Sequence, residues 1–175
     1  MTAPLLLMTG PPGSGKTTVA ALVAGKLDQS AHVLGDHFFR YIRNGWLDPS
    51  LPESNDQNKV VIDLSARAAA AYAAAGYTTV LDGIYGPWFL DQVTDAVGDV
   101  ELHYVVLRAD LETCLQRAQS SDDGATDTIV RTMHEHFDEL GQYERLVIDT
   151  TTATPDELCA EVIRRFEAGD LRLKD

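Results

Sequence analysis

The chain has 175 residues, 45% of them apolar and 23% charged, as expected of one globular domain and not of a disordered or fibrous chain. Lys and Arg number 14 against 27 Asp and Glu, and the net charge of −13 repels phosphate backbones and anionic lipid, which argues against nucleic acid or a membrane as partner. Two cysteines, Cys114 and Cys159, are too few for a disulfide framework, and each falls on an apolar stripe, so both read as reduced core residues.

The first apolar run, residues 5–8, is far shorter than a signal or spanning segment, and the chain reads as cytoplasmic. With Thr9 it predicts a strand buried on both faces, stopped at Gly10. Gly10-Pro11-Pro12-Gly13-Ser14-Gly15-Lys16-Thr17 then satisfies G-x-x-x-x-G-K-[ST] in full, between that strand and a helix expected over residues 17–27. Glycines let such a loop wrap phosphates with inward N–H groups, and the helix start adds its dipole. Lys16 is placed to reach the β- and γ-phosphates of ATP, the Thr17 hydroxyl to ligate Mg²⁺, and Thr18 to stand beside them in the helix. A dinucleotide-binding G-x-G-x-x-G fails at its third glycine, where this chain has Thr18.

A second strand, residues 31–34, ends at Gly35-Asp36, placing a carboxylate at the strand edge where open α/β sheets bind ligands. Asp36 reads as the group that takes or orients an acceptor proton, or as a helix N-cap. His37, Arg40 and Arg43 follow as acceptor-side residues, while Phe38, Phe39 and Trp46 are expected to pack in the core. Apolar residues at 60, 61, 64, 68, 71, 72 and 75 predict an amphipathic helix over 58–75 with Gly76 as its stop. The alanine-rich run at 68–75 is too short for a membrane.

A third strand, residues 77–81, ends in Asp82-Gly83, a Walker-B-like placement for a carboxylate serving Mg²⁺ or the acceptor, or a turn-forming Asp. Tyr85 and Trp88 follow as further acceptor-side candidates. A fourth strand spans 102–107, and Leu111, Cys114, Leu115 and Ala118 mark a helix stripe. The polar segment 118–128 reads as a small mobile lid flanked by Arg117 and Arg131, both expected at ATP, with Arg117 stabilising the transferring phosphoryl group. Ile129, Met133, Phe137 and Leu140 predict another helix, with His134-Glu135-His136 at its surface. A fifth strand covers 145–148, and Pro155 opens a last helix with Leu158, Val162 and Phe166 inward.

Strands alternating with helices predict an α/β fold with a parallel sheet and right-handed crossovers. A GTPase lacks support, because Asn58-Lys59-Val60-Val61 has no Asp to complete N-K-x-D, and a motor domain is normally longer. What remains is an ATP- and Mg²⁺-dependent kinase acting on a hydroxyl of a small molecule such as a sugar, hydroxy acid or antibiotic, working as monomer or homodimer. The alternatives are a nucleoside or nucleotide kinase and a regulatory protein that binds ATP without transferring it.

With the phosphate loop, Gly35-Asp36, Leu81-Asp82-Gly83 and Arg117 in this order, the chain resembles small-molecule P-loop kinases such as shikimate kinase, gluconate kinase and chloramphenicol phosphotransferase. The resemblance spans nearly the whole chain. It implies a three-layer fold, a five-stranded sheet of order 2-3-1-4-5 with helices on both faces, and a lid closing over ATP. It also implies an acceptor-side role for Asp36 and a position near adenine for residues 150–155. Many such kinases carry two arginines in the lid, whereas residues 118–128 here have none.

Overall fold

The computed structural model describes residues 2–120 and 125–173. Five strands, β1 (Leu5–Thr9), β2 (Ser30–Leu34), β3 (Thr78–Asp82), β4 (Leu102–Arg108) and β5 (Val147–Asp149), form one parallel sheet in the order β2-β3-β1-β4-β5. This is the order that the kinase resemblance implies. Central β1 is buried along its whole length, which explains its unbroken apolar sequence.

The described residues include six α-helices, α1 (Lys16–Lys26), α2 (Asn55–Ala74), α3 (Leu90–Val97), α4 (Leu111–Gln119), α5 (Asp127–His136) and, after the last strand, α6 (Pro155–Glu167). Helix α1 packs with α6 and α2 with α3, while α4 and α5 pair over a small satellite core of Ala109, Cys114, Ala118 and Val130. Thr154 and Glu157 form a reciprocal capping box ahead of α6, with Pro155 at its first turn. Cys114 and Cys159 are buried free thiols.

Four elements depart from the sequence reading. Helix α3 was not anticipated, because a helix of eight residues offers only two turns of periodicity. The expected start of β5 is a 3₁₀ turn, Gly141–Leu146, with the strand beginning at Val147. Helix α2 is rotated from its expected face: it buries Val61, Ile62, Ser65, Ala66, Ala69 and Ala73, while Val60 and Leu64 are 57% and 51% exposed. Runs of alanine carry no phase, and the deciding residue is polar. The Ser65 hydroxyl is buried because it donates to the Ile62 carbonyl (3.0 Å) and pairs with the Tyr85 hydroxyl (2.7 Å). Trp46 is exposed rather than in the core, whereas Phe38 is partly buried against it.

The rotated face sets a test of α2. Ile62→Lys, which buries an unpaired charge, is expected to cost at least about 3 kcal/mol, whereas Leu64→Lys should stay within about 0.5 kcal/mol of wild type in urea unfolding.

Candidate active site

The carboxyl ends of β1 and β3 converge on one edge of the sheet. In the ladder Met8 pairs with Asp82, and Asp82 with Leu34, so the loop leaving β1, the last residue of β3 and the turn after β2 lie side by side. The loop leaving β1 is held from several directions. The Thr150 hydroxyl donates to the Ser14 carbonyl (2.9 Å), and the Ser14 amide donates to the Pro11 carbonyl (3.2 Å). Gly13 has φ +80° and lies so close to α4 that a Cβ would overlap the Cys114 carbonyl oxygen. Gly15 has φ +86° with open space around it, so there only the backbone conformation requires glycine.

Gly15 is also the N-cap of α1, where no side chain caps the helix and no acid occupies the first turn. Uncapped amides at Lys16, Thr17 and Thr18 together with the glycine turn make a concave set of donors suited to an anion. The Ser14 hydroxyl is buried there without a hydrogen-bond partner among the described residues. Gly10 opens the loop at the end of β1, and Thr17 and Thr18 are exposed at its mouth.

Asp82 is 2% exposed, and its Oδ2 has no hydrogen-bond partner among the described residues; His32 Nε2 lies 3.5 Å away. Such a carboxylate at the loop's edge is no surface turn: burial of a lone oxygen is costly unless a cation or donor meets it. His32 was not singled out by sequence, because a histidine in a short strand gives no motif. Asp36 is exposed inside the 3₁₀ segment Gly35–Tyr41, whose cap position is Leu34, so the N-cap alternative for Asp36 falls away. His37, Arg40 and Arg43 are exposed on and just after this segment.

Tyr85 lies between the two acids and is 2% exposed, so the expected acceptor-facing ring is instead a strut. Its amide donates to Thr9 Oγ1 (2.8 Å), its carbonyl accepts from the Tyr104 hydroxyl (2.9 Å), and its own hydroxyl pairs with Ser65. Burial pushes the Tyr85 phenol well above its ordinary value. The neighbouring charges of Asp36 and Asp82 push the same way, against the lowering effect of the Ser65 hydrogen bond. Trp88, in contrast, is 47% exposed.

A cleft of about 260 Å³ runs from the loop to α6, lined by Ser14, Gly15, Thr18, Val19, Arg117, Ala153, Pro155 and Leu158. Arg117 donates to the carbonyls of Thr150 (3.0 Å) and Thr151 (3.2 Å), which fastens α4 to the segment after β5. Arg117 thus lines the cleft with Nη2 engaged on its wall. Arg131 stands exposed on α5 without an ion pair or hydrogen bond among the described residues. His134, expected at the surface, is half-buried with Nε2 3.0 Å from the Ala109 carbonyl oxygen. Of the segment expected to form a lid, residues 121–124 lie outside the described residues.

A parallel sheet of this order, with G-x-x-x-x-G-K-T joining its central strand to a helix, defines the P-loop nucleotide-binding class. The chain belongs to the AAA domain family, whose model matches residues 6–131. Among solved structures it is similar to a sugar kinase from Janibacter sp. HTCC2649 (19% identity, 94% of this chain and 95% of that one, TM-score 0.72). It is also similar to the APS kinase of Mycobacterium tuberculosis in complex with AMPPNP and APS (21% identity, 95% and 98% covered, TM-score 0.70). A third similar structure is the shikimate kinase of Acinetobacter baumannii in complex with shikimate (16% identity, 97% and 96% covered, TM-score 0.67). At these identities the likeness establishes the fold. No curated protein matches the sequence.

The two loop glycines predict different costs. Gly15→Ala is expected to lose about 1–2 kcal/mol from its left-handed backbone alone, and Gly13→Ala more than that because the Cys114 carbonyl must also move; urea unfolding of both variants measures the difference. The Tyr85 phenol yields a pH test with a definite sign. Below its unfolded value of about 10 both states hold the proton and its contribution to stability is complete. Above that value the unfolded chain deprotonates first, so wild type should lose stability relative to Tyr85→Phe as pH rises from 9 towards 11, as followed by chemical denaturation.

Proposed function

We propose that this protein is an ATP-dependent kinase that transfers the γ-phosphoryl group to a hydroxyl of a small molecule. The observation that carries the proposal is the adjacency of the phosphate loop and two carboxylates, one buried and one exposed, at a single sheet edge. The three similar solved structures above are kinases, one of them bound to AMPPNP.

The residues fit the nucleotide and the metal. The loop Gly10, Gly13, Ser14, Gly15 has its backbone shaped for phosphates, the helix behind it is uncapped, and the cleft beyond leads to Arg117, Ala153, Pro155 and Leu158 as walls for the base. Thr17 and the unpartnered oxygen of Asp82 would hold Mg²⁺ or its bound water. ATP when bound supplies the phosphoryl group, and Mg²⁺ neutralises charge on its oxygens.

The chain's own groups supply the remainder. Loop amides and Lys16 orient the phosphates, and Thr18 extends that contact. Asp36, exposed at the same edge, orients the acceptor hydroxyl and takes its proton as the oxygen attacks. His37, Arg40, Arg43 and Trp88 line the acceptor side in this reading, and Arg131 is the exposed cation available from α5. The same reading carries a dissolved acceptor, a cytoplasmic setting and a monomer or homodimer.

Calorimetry with Mg-ATP and coupled ADP release across sugars, hydroxy acids, nucleosides and antibiotics test the proposal together. Asp36→Ala is expected to keep nucleotide affinity within about threefold and to lower turnover about 10²–10⁴-fold; Lys16→Ala should damage both. Saturable ATP binding with no turnover on any acceptor would make the chain a nucleotide-binding protein, and turnover unchanged in Asp36→Ala would remove that residue's role.

A further inference from the structure

Between the segment leaving β3 and the end of α5 lies an open cleft of about 280 Å³, lined by Trp88 and His136. It sits at the sheet edge already described: Trp88 comes six residues after Asp82, and its ring meets that of buried Phe137 (5.3 Å between centroids, 61° between planes). The Phe137 carbonyl in turn accepts from Arg108 at the end of β4 (2.8 Å). His136 closes the other side, edge-on to Trp88 at 5.5 Å.

Several features hold the Trp88 ring in place while leaving it open to solvent. Gly86 has no Cβ, and one placed there would overlap three atoms of the Trp88 six-membered ring, so the indole lies flat against the main chain. Pro87 opens the short 3₁₀ turn Pro87–Phe89, closed by the Phe89 amide donating to the Gly86 carbonyl (2.9 Å). Phe137 and His136 meet the ring through edges, and the indole is still 47% exposed. A large aromatic immobilised at low entropic cost and left uncovered beside a cleft is suited to stacking a ligand ring.

We infer that this cleft is a subsite for an uncharged small molecule carrying a planar ring, stacked on Trp88 and hydrogen-bonded at its edge by His136. The volume suits one ring with its substituents, since an apolar cavity of about 150 Å³ already holds benzene and drug-sized pockets begin near about 300 Å³. Glu135, Asp138 and Glu139 are exposed within three residues of His136 in the chain, and with the net charge of −13 they make the local field negative, which disfavours an anionic ring. The inference rests on the acceptor side assigned above and narrows the acceptor to a ring-bearing alcohol, as opposed to an open-chain polyol.

The chain has two tryptophans, so Trp46→Phe leaves Trp88 as the sole indole reporter. Titration of that variant with uridine and phenyl β-glucoside, against methyl β-glucoside and sorbitol, reads binding without any turnover. Saturable change with at least one probe bearing a planar ring and none with the pair that lacks one is the expected result. In the wild-type background, calorimetry with that probe should show affinity lowered about 10-fold or more in Trp88→Ala and partly restored in Trp88→Phe. Gly86→Ala, which displaces the ring without removing it, should weaken the probe while Mg-ATP affinity stays within twofold. Equal response to the probes without a planar ring, no response to either probe that has one, or a Trp88→Ala affinity within twofold of wild type would overturn the subsite. Ring binding without ADP release from any acceptor keeps the subsite and removes the kinase; ADP release indifferent to Trp88 does the reverse.

Discussion

Register in the parallel ladder is the constraint on which the rest depends. Met8 on β1 is opposite Asp82 on β3, and Asp82 is opposite Leu34 on β2, so three chain segments leave the sheet together. A slip of one residue would turn Asp82 to the other face of β3. Burial on both faces makes such a slip costly, since β1 and most of β3 would exchange well-packed positions. The phosphate loop inherits its position from this ladder, and its own glycines only shape it.

Tyr85 converts that ladder into a fixed site. Its main chain is bonded to Thr9 on β1 and Tyr104 on β4, and its hydroxyl to Ser65 on α2. Gly35 and Gly83 give it room: a Cβ at Gly35 would overlap the phenol oxygen, and one at Gly83 would press on the ring. The buried polar atoms of this region fall into two groups. Those of Tyr85, Ser65 and Thr150 are paired and brace the scaffold, whereas Asp82 Oδ2, His32 Nε2 and the Ser14 hydroxyl have no hydrogen-bond partner among the described residues. Unpaired buried oxygens are costly to keep, and their gathering at one edge marks where a ligand or ion would repay the cost.

Electrostatics sharpen the same division. A net charge of −13 sets up a field that opposes an incoming anion, so any nucleotide held here depends on donors acting at contact range. Salt screens the distant acids within about 8 Å at physiological ionic strength, whereas amides of the loop and the start of α1 act inside that distance. The segments after β2 and β3 have a different character, with Arg40 and Arg43 exposed on the first and Trp88 beside an open cleft on the second.

Much of this was legible in the residues themselves. The apolar runs of β1 and β4, the complete loop motif and Asp82 at the end of β3 are local signals, each set by neighbours in the chain, and they recur in the structure within a residue of where they were read. The face of α2, the short helix α3, the strut role of Tyr85, the proximity of His32 to Asp82 and the attachment of Arg117 to the Thr150 and Thr151 carbonyls were not legible. Each of these depends on a partner many residues away: Ser65 is buried because Tyr85 meets it, and Arg117 turns to the cleft wall because β5 delivers carbonyls there. Sequence alone determined where the longer strands and helices lie and which loop is built for phosphate, because backbone propensity and periodicity are short-range properties. Only the tertiary structure decided which polar groups are paired and which side chains face the cleft, because pairing and burial are long-range outcomes of packing.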